Sequence, residues 1–303
     1  MASRLATEIA GLKLANPVML ASGILGLSVS SLRRIVESGA GAVVTKSVGL
    51  KPREGYSNPT VVQVECGLLN ALGLPNPGVH HLCEEIQGAE LRVPIVMSVY
   101  GFSSEDFAEV AGVAAKAEVD ALELNLSCPH VERTGAEIGY DPDLVADVVE
   151  KVKAQVDKPV FVKLTPNVAD IVEVAKAAAE SGAEALTAIN TVRAMTIDIE
   201  TAQPILANRI GGLSGAAIKP IAVRCVYEIY PEVDVPIIGC GGISSWRDAV
   251  EFMLAGASAV QIGTAVAFEG LHIFREVTRG IETYLREKEL RSVKEIVGLA
   301  HRH

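Results

Sequence analysis

Short apolar runs alternate with longer amphipathic stretches along the chain. Eight of these runs have the length and β-branched composition of buried strands, and they cover residues 18–21, 42–46, 94–99, 121–125, 160–164, 185–190, 236–239 and 259–263. Strands that alternate with helices predict a parallel sheet, and eight of them predict an α/β fold closed as a (β/α)8 TIM barrel. No linker-like segment interrupts this pattern, so we expect one barrel domain over residues 1–303.

Three segments repeat one local pattern. Residues 37–46, 180–190 and 254–264 each read as a helix end, a Gly-Ala pair and an apolar strand. A glycine just past a helix end adopts the left-handed conformation that other residues resist. Residues 245–248, Ser-Trp-Arg-Asp, have the spacing of a capping box that opens a helix. These patterns set the borders between helices and strands.

Two segments fall outside the alternation. Near the start, the apolar residues Ile9, Leu12 and Leu14 flank Gly11, and this predicts a small β-hairpin that closes the floor of the barrel. Between the second and third strands, residues 49–92 form a long insertion. Long insertions at the carboxyl ends of barrel strands usually build an active site.

The overall charge limits the class of partner. The formal net charge is −10, from 27 Lys and Arg against 37 Asp and Glu, and this opposes a nucleic-acid partner. The five cysteines are scattered and show no metal-binding spacing. No signal-peptide pattern and no apolar run of about 18 residues is present. We therefore expect a cytoplasmic protein that does not enter a membrane.

Polar residues and glycines follow nearly every predicted strand. Barrel enzymes place their active sites at this end of the strands, and the residues there include Ser22, Lys46, Ser47, Ser98, Asn125, Ser127, Cys128, Lys163, Asn190, Thr191, Gly241, Gly242, Gly263 and Thr264. Lysines at the ends of apolar strands are costly to bury unless they meet an anion. The pattern indicates an anionic ligand.

Glycine-rich turns in the last third of the chain favour a phosphorylated cofactor. Residues 211–215, 239–244 and 261–265 are expected to expose backbone N–H groups to a phosphate, although tight packing of turns is the alternative. Lys163 points inward if Phe161 does, and such a cation would stabilise a reduced flavin. Asn70, Asn125 and Asn190 suit a planar ring that carries carbonyl and N–H groups.

Cys128 follows a strand and precedes Pro129 and a polar, glycine-containing stretch. A buried, inert cysteine needs no such setting, and we interpret Cys128 as a candidate reactive group. His80, His81 and Cys83 lie close together, but three residues make a weak case for a metal site.

Several of these stretches together resemble class 1 dihydroorotate dehydrogenases. The resemblance covers essentially the whole chain and rests on NPVMLASG (16–23), TKSV (45–48), NALGLPNPG (70–78), ELNLSCPH (123–130), VKLTPN (162–167), AINT (188–191), GGLSGAAIKP (211–220), GCGGI (239–243) and QIGTA (261–265). Class 2 members have serine at the position of Cys128. The loop NALGLPNPG is more similar to subclass 1B than to other members.

The resemblance implies an FMN-dependent oxidation of (S)-dihydroorotate to orotate in pyrimidine biosynthesis. It implies Cys128 as the catalytic base, and FMN contacts from Ser22, Lys46, Ser47, Asn125, Lys163, Ile189, Gly215, Gly241, Gly242, Gly263 and Thr264. It implies substrate contacts from Lys46, Asn70, Ala71, Leu72, Gly73, Leu74, Asn125, Asn190 and Thr191. Many members have asparagine where this chain has Ser98, which therefore stays unassigned.

Subclass 1B also implies partners. The expected assembly is a homodimer core with two electron-transfer subunits, which hold FAD and a [2Fe-2S] cluster and pass electrons to NAD. The alternatives left open are a fumarate-using class 1A enzyme, a barrel like dihydropyrimidine dehydrogenase and a barrel like tRNA dihydrouridine synthase. A phosphate-binding scaffold barrel is the alternative without catalysis.

Overall fold

The structure is a computed structural model that describes residues 4–127 and 138–302. Its strands, in chain order, are β1 (Thr7–Ile9), β2 (Leu12–Leu14), β3 (Val18–Leu20), β4 (Ala42–Val44), β5 (Val61–Val64), β6 (Gly67–Asn70), β7 (Ile95–Val99), β8 (Ala121–Asn125), β9 (Val160–Leu164), β10 (Ala185–Ala188), β11 (Val192–Met195), β12 (Ile197–Asp198), β13 (Gln203–Pro204), β14 (Ile210–Ser214), β15 (Ile237–Cys240) and β16 (Ala257–Ile262).

Eight of these strands close into a parallel barrel. Around the ring they follow the chain in the order β3, β4, β7, β8, β9, β10, β15 and β16, and β16 pairs with β3 to complete the circle. Each lies at one of the eight apolar runs, so the predicted (β/α)8 barrel is confirmed. The runs were recognisable because strands buried on both faces are continuously apolar.

Helices surround the barrel and pack one apolar side against it. They are α1 (Val29–Glu37), α2 (Val79–Ile86), α3 (Ser104–Ala114), α4 (Pro142–Lys153), α5 (Ile171–Glu180), α6 (Lys219–Ile229), α7 (Trp246–Ala255), α8 (Ala265–Glu269) and α9 (Ile273–Glu287). In α9, Val277, Ile281 and Leu285 recur every four residues and are buried, as expected of an amphipathic helix. None of the described helices is long and apolar enough to cross a bilayer.

The three repeated segments have the predicted helix ends. Helices α1, α5 and α7 are followed by Gly39 (φ 105°), Gly182 (φ 105°) and Gly256 (φ 128°), all in the positive-φ region. At the start of α7, Ser245 and Asp248 form both hydrogen bonds of the predicted capping box. The local sequence therefore decides where these helices begin and end.

The N-terminal hairpin closes the lower end of the barrel, as predicted. Strands β1 and β2 pair antiparallel, and Ile9, Leu12 and Leu14 pack in one cluster with inward side chains of the barrel such as Met19 and Phe161. This apolar plug fills the lower half of the interior. Polar chemistry is therefore confined to the upper half.

A second sheet stands above the carboxyl ends of the barrel strands. It has four antiparallel strands in the order β11, β14, β6, β5. Two predictions need correction here. Residues 211–214 belong to strand β14 rather than to a glycine turn, and the turn begins only at Gly215 (φ 97°). Asn70 is the last residue of strand β6 rather than a loop residue, because β6 pairs with both β5 and β14.

Substitution by alanine at two glycines within helices should change the stability of the fold in opposite directions. A Cβ at Gly112 in α3 would meet no atom within 4 Å, whereas one at Gly280 in α9 would lie 2.1 Å from Cγ of Trp246. Gly112→Ala should stabilise the fold by about 0.5–1 kcal/mol through helix propensity. Gly280→Ala should destabilise it by about 1–3 kcal/mol, because Trp246 must move.

Thermal unfolding at one protein concentration measures both changes, and each variant is the control for the other. A raised Tm for Gly112→Ala with a lowered Tm for Gly280→Ala is expected. Equal shifts of the same sign would contradict the close approach of Gly280 in α9 to Trp246 in α7.

Candidate active site

A continuous cleft lies at the carboxyl ends of the barrel strands. It has two parts, a wider cavity of about 890 Å³ and a deeper one of about 430 Å³. The two share the lining residues Ser22, Lys163, Asn190, Thr191, Ser214, Gly263 and Thr264. Volumes of this size are typical of cofactor and substrate sites.

The cleft brings together nearly all the residues predicted from the sequence. The wider cavity is lined by Ser22, Lys46, Ser47, Asn70, Ala71, Leu72, Gly73, Leu74, Asn125, Lys163, Asn190, Thr191, Gly263 and Thr264. The deeper cavity adds Ile189, Gly215, Gly241 and Gly242. Cys128 lies outside the described residues. Which ligand atoms each side chain contacts stays a prediction.

Two of the three predicted amides are linked to each other. Asn190 Nδ2 donates to Asn125 Oδ1 at 3.1 Å and to Ser127 Oγ at 2.9 Å. Asn125 Nδ2 donates to Ser47 Oγ at 3.1 Å. In these bonds the NH₂ group of each amide donates and the oxygen of Asn125 accepts. The orientation of both amides is therefore fixed before any ligand binds.

The third amide belongs to the upper sheet. Asn70 Nδ2 donates to the carbonyl of Gly212 at 3.1 Å, across the pairing of β6 with β14. Earlier residues of the insertion hold the residues that follow Asn70. Tyr56 N donates to the carbonyl of Leu72 at 2.9 Å, and Arg53 Nε donates to the carbonyl of Gly73 at 2.7 Å. The insertion therefore forms one wall of the cleft, as expected.

The wider cavity is positively charged although the chain is acidic. Its described lining contains the four cations Lys46, Arg53, Lys163 and Arg193 and no carboxylate. Lys46 Nζ donates to the carbonyl of Gly23 at 3.0 Å, and burial lowers the pKa of Lys46. An anion in the cavity would favour the charged form of this lysine. The cavity is suited to an anionic ligand.

Lys163 is at the centre of a buried polar layer beneath the cleft. Its Nζ donates to Gln261 Oε1 at 3.2 Å and lies 3.9 Å from Glu123 Oε1. Glu123 Oε2 accepts from Gln261 Nε2 at 2.8 Å and from Thr187 Oγ1 at 2.9 Å. Phe161 points into the same interior, so the predicted inward direction of Lys163 is confirmed.

The charge on Lys163 depends on these neighbours. Burial opposes the charge, but the carboxylate of Glu123 favours it, and the pKa of Lys163 is raised above its ordinary value. Glu123 is fully buried, and among the described residues its Oε1 is the buried side-chain atom that has no hydrogen bond. The ion pair with Lys163 is therefore the interaction that this oxygen makes.

The deeper cavity has a wall in which only glycine fits. Gly215 has φ 97°, and a Cβ there would lie 2.7 Å from Cα of Gly67. Gly242 has φ 76°, and a Cβ there would lie 2.8 Å from the carbonyl oxygen of Gly215. Such turns let a phosphate approach the backbone closely. With Lys163 at the other side, the residues present fit a flavin mononucleotide.

Several residues in or behind the cleft had no predicted ligand contact. Ser127 bonds to Asn190, while Arg53 and Arg193 line the wider cavity. Arg53 could have been suspected, because it lies in the insertion that was expected to build the site. Ser98 is fully buried, and its Oγ lies 2.8 Å from Ser47 Oγ. Sequence offers no signal for that contact, because the two residues belong to different strand ends.

Comparisons with known proteins agree with the geometry. The profile of the family described as dihydroorotate dehydrogenase matches residues 4–285. A protein of Pyrococcus furiosus named dihydroorotate dehydrogenase B (NAD(+)), catalytic subunit, is 52% identical over 97% of this chain and 98% of its own. Proteins of the same name from Methanothermobacter thermautotrophicus and Methanocaldococcus jannaschii are 52% and 53% identical, each over 98% of both chains.

The buried pair predicts a rescue experiment. Lys163→Met should lower the Tm of the flavin-free protein, because it leaves Glu123 buried without its counter-charge, a change that typically costs about 3–5 kcal/mol. The double variant Lys163→Met with Glu123→Gln should recover most of the loss, because no charge then remains in the layer.

Thermal unfolding of the three proteins at neutral pH measures this. Lys151→Met is the matched control, since Lys151 pairs with Glu105 and Asp147 at the surface, where ion pairs contribute about 0–1 kcal/mol. A double variant no more stable than Lys163→Met would contradict the proposed pairing.

Proposed function

This chain belongs to the dihydroorotate dehydrogenase family, and we propose that it is the catalytic subunit of an NAD-linked enzyme of that family. It oxidises (S)-dihydroorotate to orotate in de novo pyrimidine biosynthesis, as one FMN-binding barrel domain over residues 1–303. The observation that supports this most is the identity of about half of all positions, over nearly the full length, to catalytic subunits of that name.

The chain holds FMN without a covalent bond. The glycine turns at Gly215, Gly241, Gly242 and Gly263, with Thr264, bind its phosphate, because backbone N–H groups there meet an anion at close range. Ser22, Lys46, Ser47, Asn125 and Ile189 complete the flavin contacts. Lys163 supplies a cation that favours the anionic, reduced form of a flavin. When bound, FMN supplies the acceptor for the hydride from C6 of dihydroorotate.

The substrate binds in the wider cavity. Its carboxylate meets Lys46 in a cavity whose described lining has four cations and no carboxylate. Its ring carries carbonyl and N–H groups that match the amides of Asn70, Asn125 and Asn190 and the hydroxyl of Thr191. Backbone groups of residues 71–74 complete the wall. The fixed amide orientations set which face of the ring is presented.

Cys128 acts as the base that removes the proton from C5 of the substrate. A carbon acid needs a positioned base, and a thiolate that is shielded from water is suited to the task. The proposal rests on the sequence, in which Cys128 directly follows Ser127. Ser127 lines the wider cavity, and its Oγ accepts from Asn190 Nδ2 at 2.9 Å.

Electrons leave through a partner protein in the cytoplasm. The chain has no GxGxxG pattern of a dinucleotide site and no four-cysteine spacing for an iron–sulfur cluster. The assembly is a homodimer of this chain with two electron-transfer subunits, which hold FAD and a [2Fe-2S] cluster and reduce NAD. The wording "NAD(+), catalytic subunit" in the names of the relatives supports such a division of labour.

Anaerobic addition of dihydroorotate to the purified, FMN-loaded chain tests the function. Bleaching of the flavin band is expected, together with orotate formation. The reduced chain should then reduce an artificial dye but neither NAD nor fumarate, and addition of the electron-transfer subunit should restore NADH formation.

Each other outcome has a distinct meaning. A flavin that dihydroorotate leaves oxidised would refute the proposed substrate. Fumarate turnover by the isolated chain would place it in class 1A, and rapid NADH formation without a partner would refute the division of labour. Addition of uracil or dihydrouracil in place of dihydroorotate is the control for specificity.

The role of Cys128 is tested by its alanine variant. Cys128→Ala should retain FMN but slow the bleaching by dihydroorotate about 10²–10⁴-fold, the range typical of general-base loss. Cys128→Ser should be faster than Cys128→Ala at high pH, because a hydroxyl is a poorer but possible base. Stopped-flow absorbance measures the rates.

Cys83→Ala is the matched control, since Cys83 lies on α2 outside the described lining of the cleft. It should bleach at the rate of the unmodified protein. A Cys128→Ala rate within about tenfold of that rate, less than general-base loss produces, would remove Cys128 from the mechanism.

A further inference from the structure

Ser98 is a polar residue buried behind the wall of the cleft. It lies on β7, is fully buried, and its Oγ is 2.8 Å from Ser47 Oγ. Over residues 4–127 and 138–302, the Ser47 hydroxyl is the hydrogen-bond partner of Ser98 Oγ. The backbone N–H of Ser98 donates to Thr45 Oγ1 at 3.0 Å, which holds Ser98 in place on the adjacent strand end.

The direction of the bond between the two serines follows from burial. A buried hydroxyl proton needs an acceptor, and the acceptor within reach of Ser98 is the Ser47 oxygen. Ser98 therefore donates and Ser47 accepts. Ser47 Oγ also accepts from Asn125 Nδ2 at 3.1 Å, so its two lone pairs are both used.

The proton of Ser47 must then point elsewhere. Ser22 Oγ lies 3.2 Å from Ser47 Oγ, and Ser22 lines both parts of the cleft. Ser47 thus donates to Ser22, and Ser22 keeps its own proton for another acceptor. The three hydroxyls form a chain of donors that runs from the barrel wall towards the ligand.

The same chain helps to hold the Asn125 amide in one orientation, together with the backbone N–H of Ser127, which donates to Asn125 Oδ1 at 3.4 Å. As long as Ser47 presents lone pairs, Asn125 must turn its NH₂ group towards Ser47 and its Oδ1 towards Asn190, which donates to it at 3.1 Å. Without Ser98, the Ser47 hydroxyl can rotate and donate to Asn125 instead. The flipped amide would then set two donors, from Asn125 and Asn190, against each other.

We propose that Ser98 is a positioning residue that fixes the direction of the Ser98–Ser47–Ser22 hydroxyl chain and, through Ser47, stabilises the orientation of the Asn125 amide for ligand binding. It touches no ligand itself. The inference rests on the proposed function for the identity of the ligand, orotate, and gives a role to a residue that the family resemblance left unassigned.

Two substitutions separate the hydrogen bond from the packing. Ser98→Ala removes the hydroxyl, and Ser98→Cys keeps the size of the side chain but offers only a weak donor. In FMN-loaded protein, orotate binding is measured from the change in the flavin absorption spectrum. Both variants should raise the Kd of orotate by about 2- to 10-fold, the effect of one neutral hydrogen bond, with FMN still bound.

The Ser47→Ala background tests whether Ser98 acts through Ser47. There, Ser98→Ala should raise the Kd of orotate no further, because the acceptor of the chain is already gone. An additional loss in that background would show that Ser98 acts through packing and would overturn the proposal. A Ser98→Cys protein with the unmodified Kd would overturn it as well.

Failure of the proposed function gives a different result. If the unmodified, FMN-loaded protein shows no spectral change with orotate, the proposed substrate and the inference both fail. If the unmodified protein binds orotate and the Ser98 variants bind it equally well, the inference alone fails. Thermal unfolding of Ser98→Ala and Ser98→Cys confirms that the measured proteins are folded.

Discussion

Closing eight parallel strands into a ring forces their inward side chains to share one narrow interior. In this protein the interior is layered. The hairpin and side chains such as Met19 and Phe161 fill the lower part with apolar groups, and the layer of Glu123 and Lys163 follows above them. The cleft begins where this layer ends. Closure of the barrel therefore decides which residues are buried and which meet a ligand.

The buried polar groups of the layer below the cleft must each have a hydrogen-bond or charge partner. Glu123 uses one oxygen for Thr187 and Gln261 and faces Lys163 with the other. Charges and hydroxyls in such an environment interact more strongly than in water, and unpaired groups are correspondingly costly. The need for every buried hydroxyl to have an acceptor also gives the Ser98–Ser47–Ser22 hydroxyl chain its direction. The rigidity that results holds the ligand-facing groups in place before binding, which is the arrangement that catalysis favours.

Charge is distributed unevenly over the molecule. The chain has a net charge of −10, yet the described lining of the wider cavity includes Lys46, Arg53 and Arg193 and no carboxylate. Salt screens distant surface charges within about 10 Å, so the local field of the cavity governs the approach of a small anion. The net charge of the chain indicates which macromolecules it can bind, whereas the charges of the cavity lining indicate which small ligand it can bind.

The sequence alone determined the barrel strands, the hairpin, the helix ends and the inward direction of Lys163, since all of these follow from local periodicity and glycine chemistry. It also predicted that the polar residues and glycines at the ends of the barrel strands lie together, because parallel strands end at one edge. Tertiary structure alone decided that Asn70 ends a strand beside Gly212, 142 positions away, and that Glu123 meets Gln261, 138 positions away. Local patterns cannot encode such contacts, because they exist only once the ring has closed.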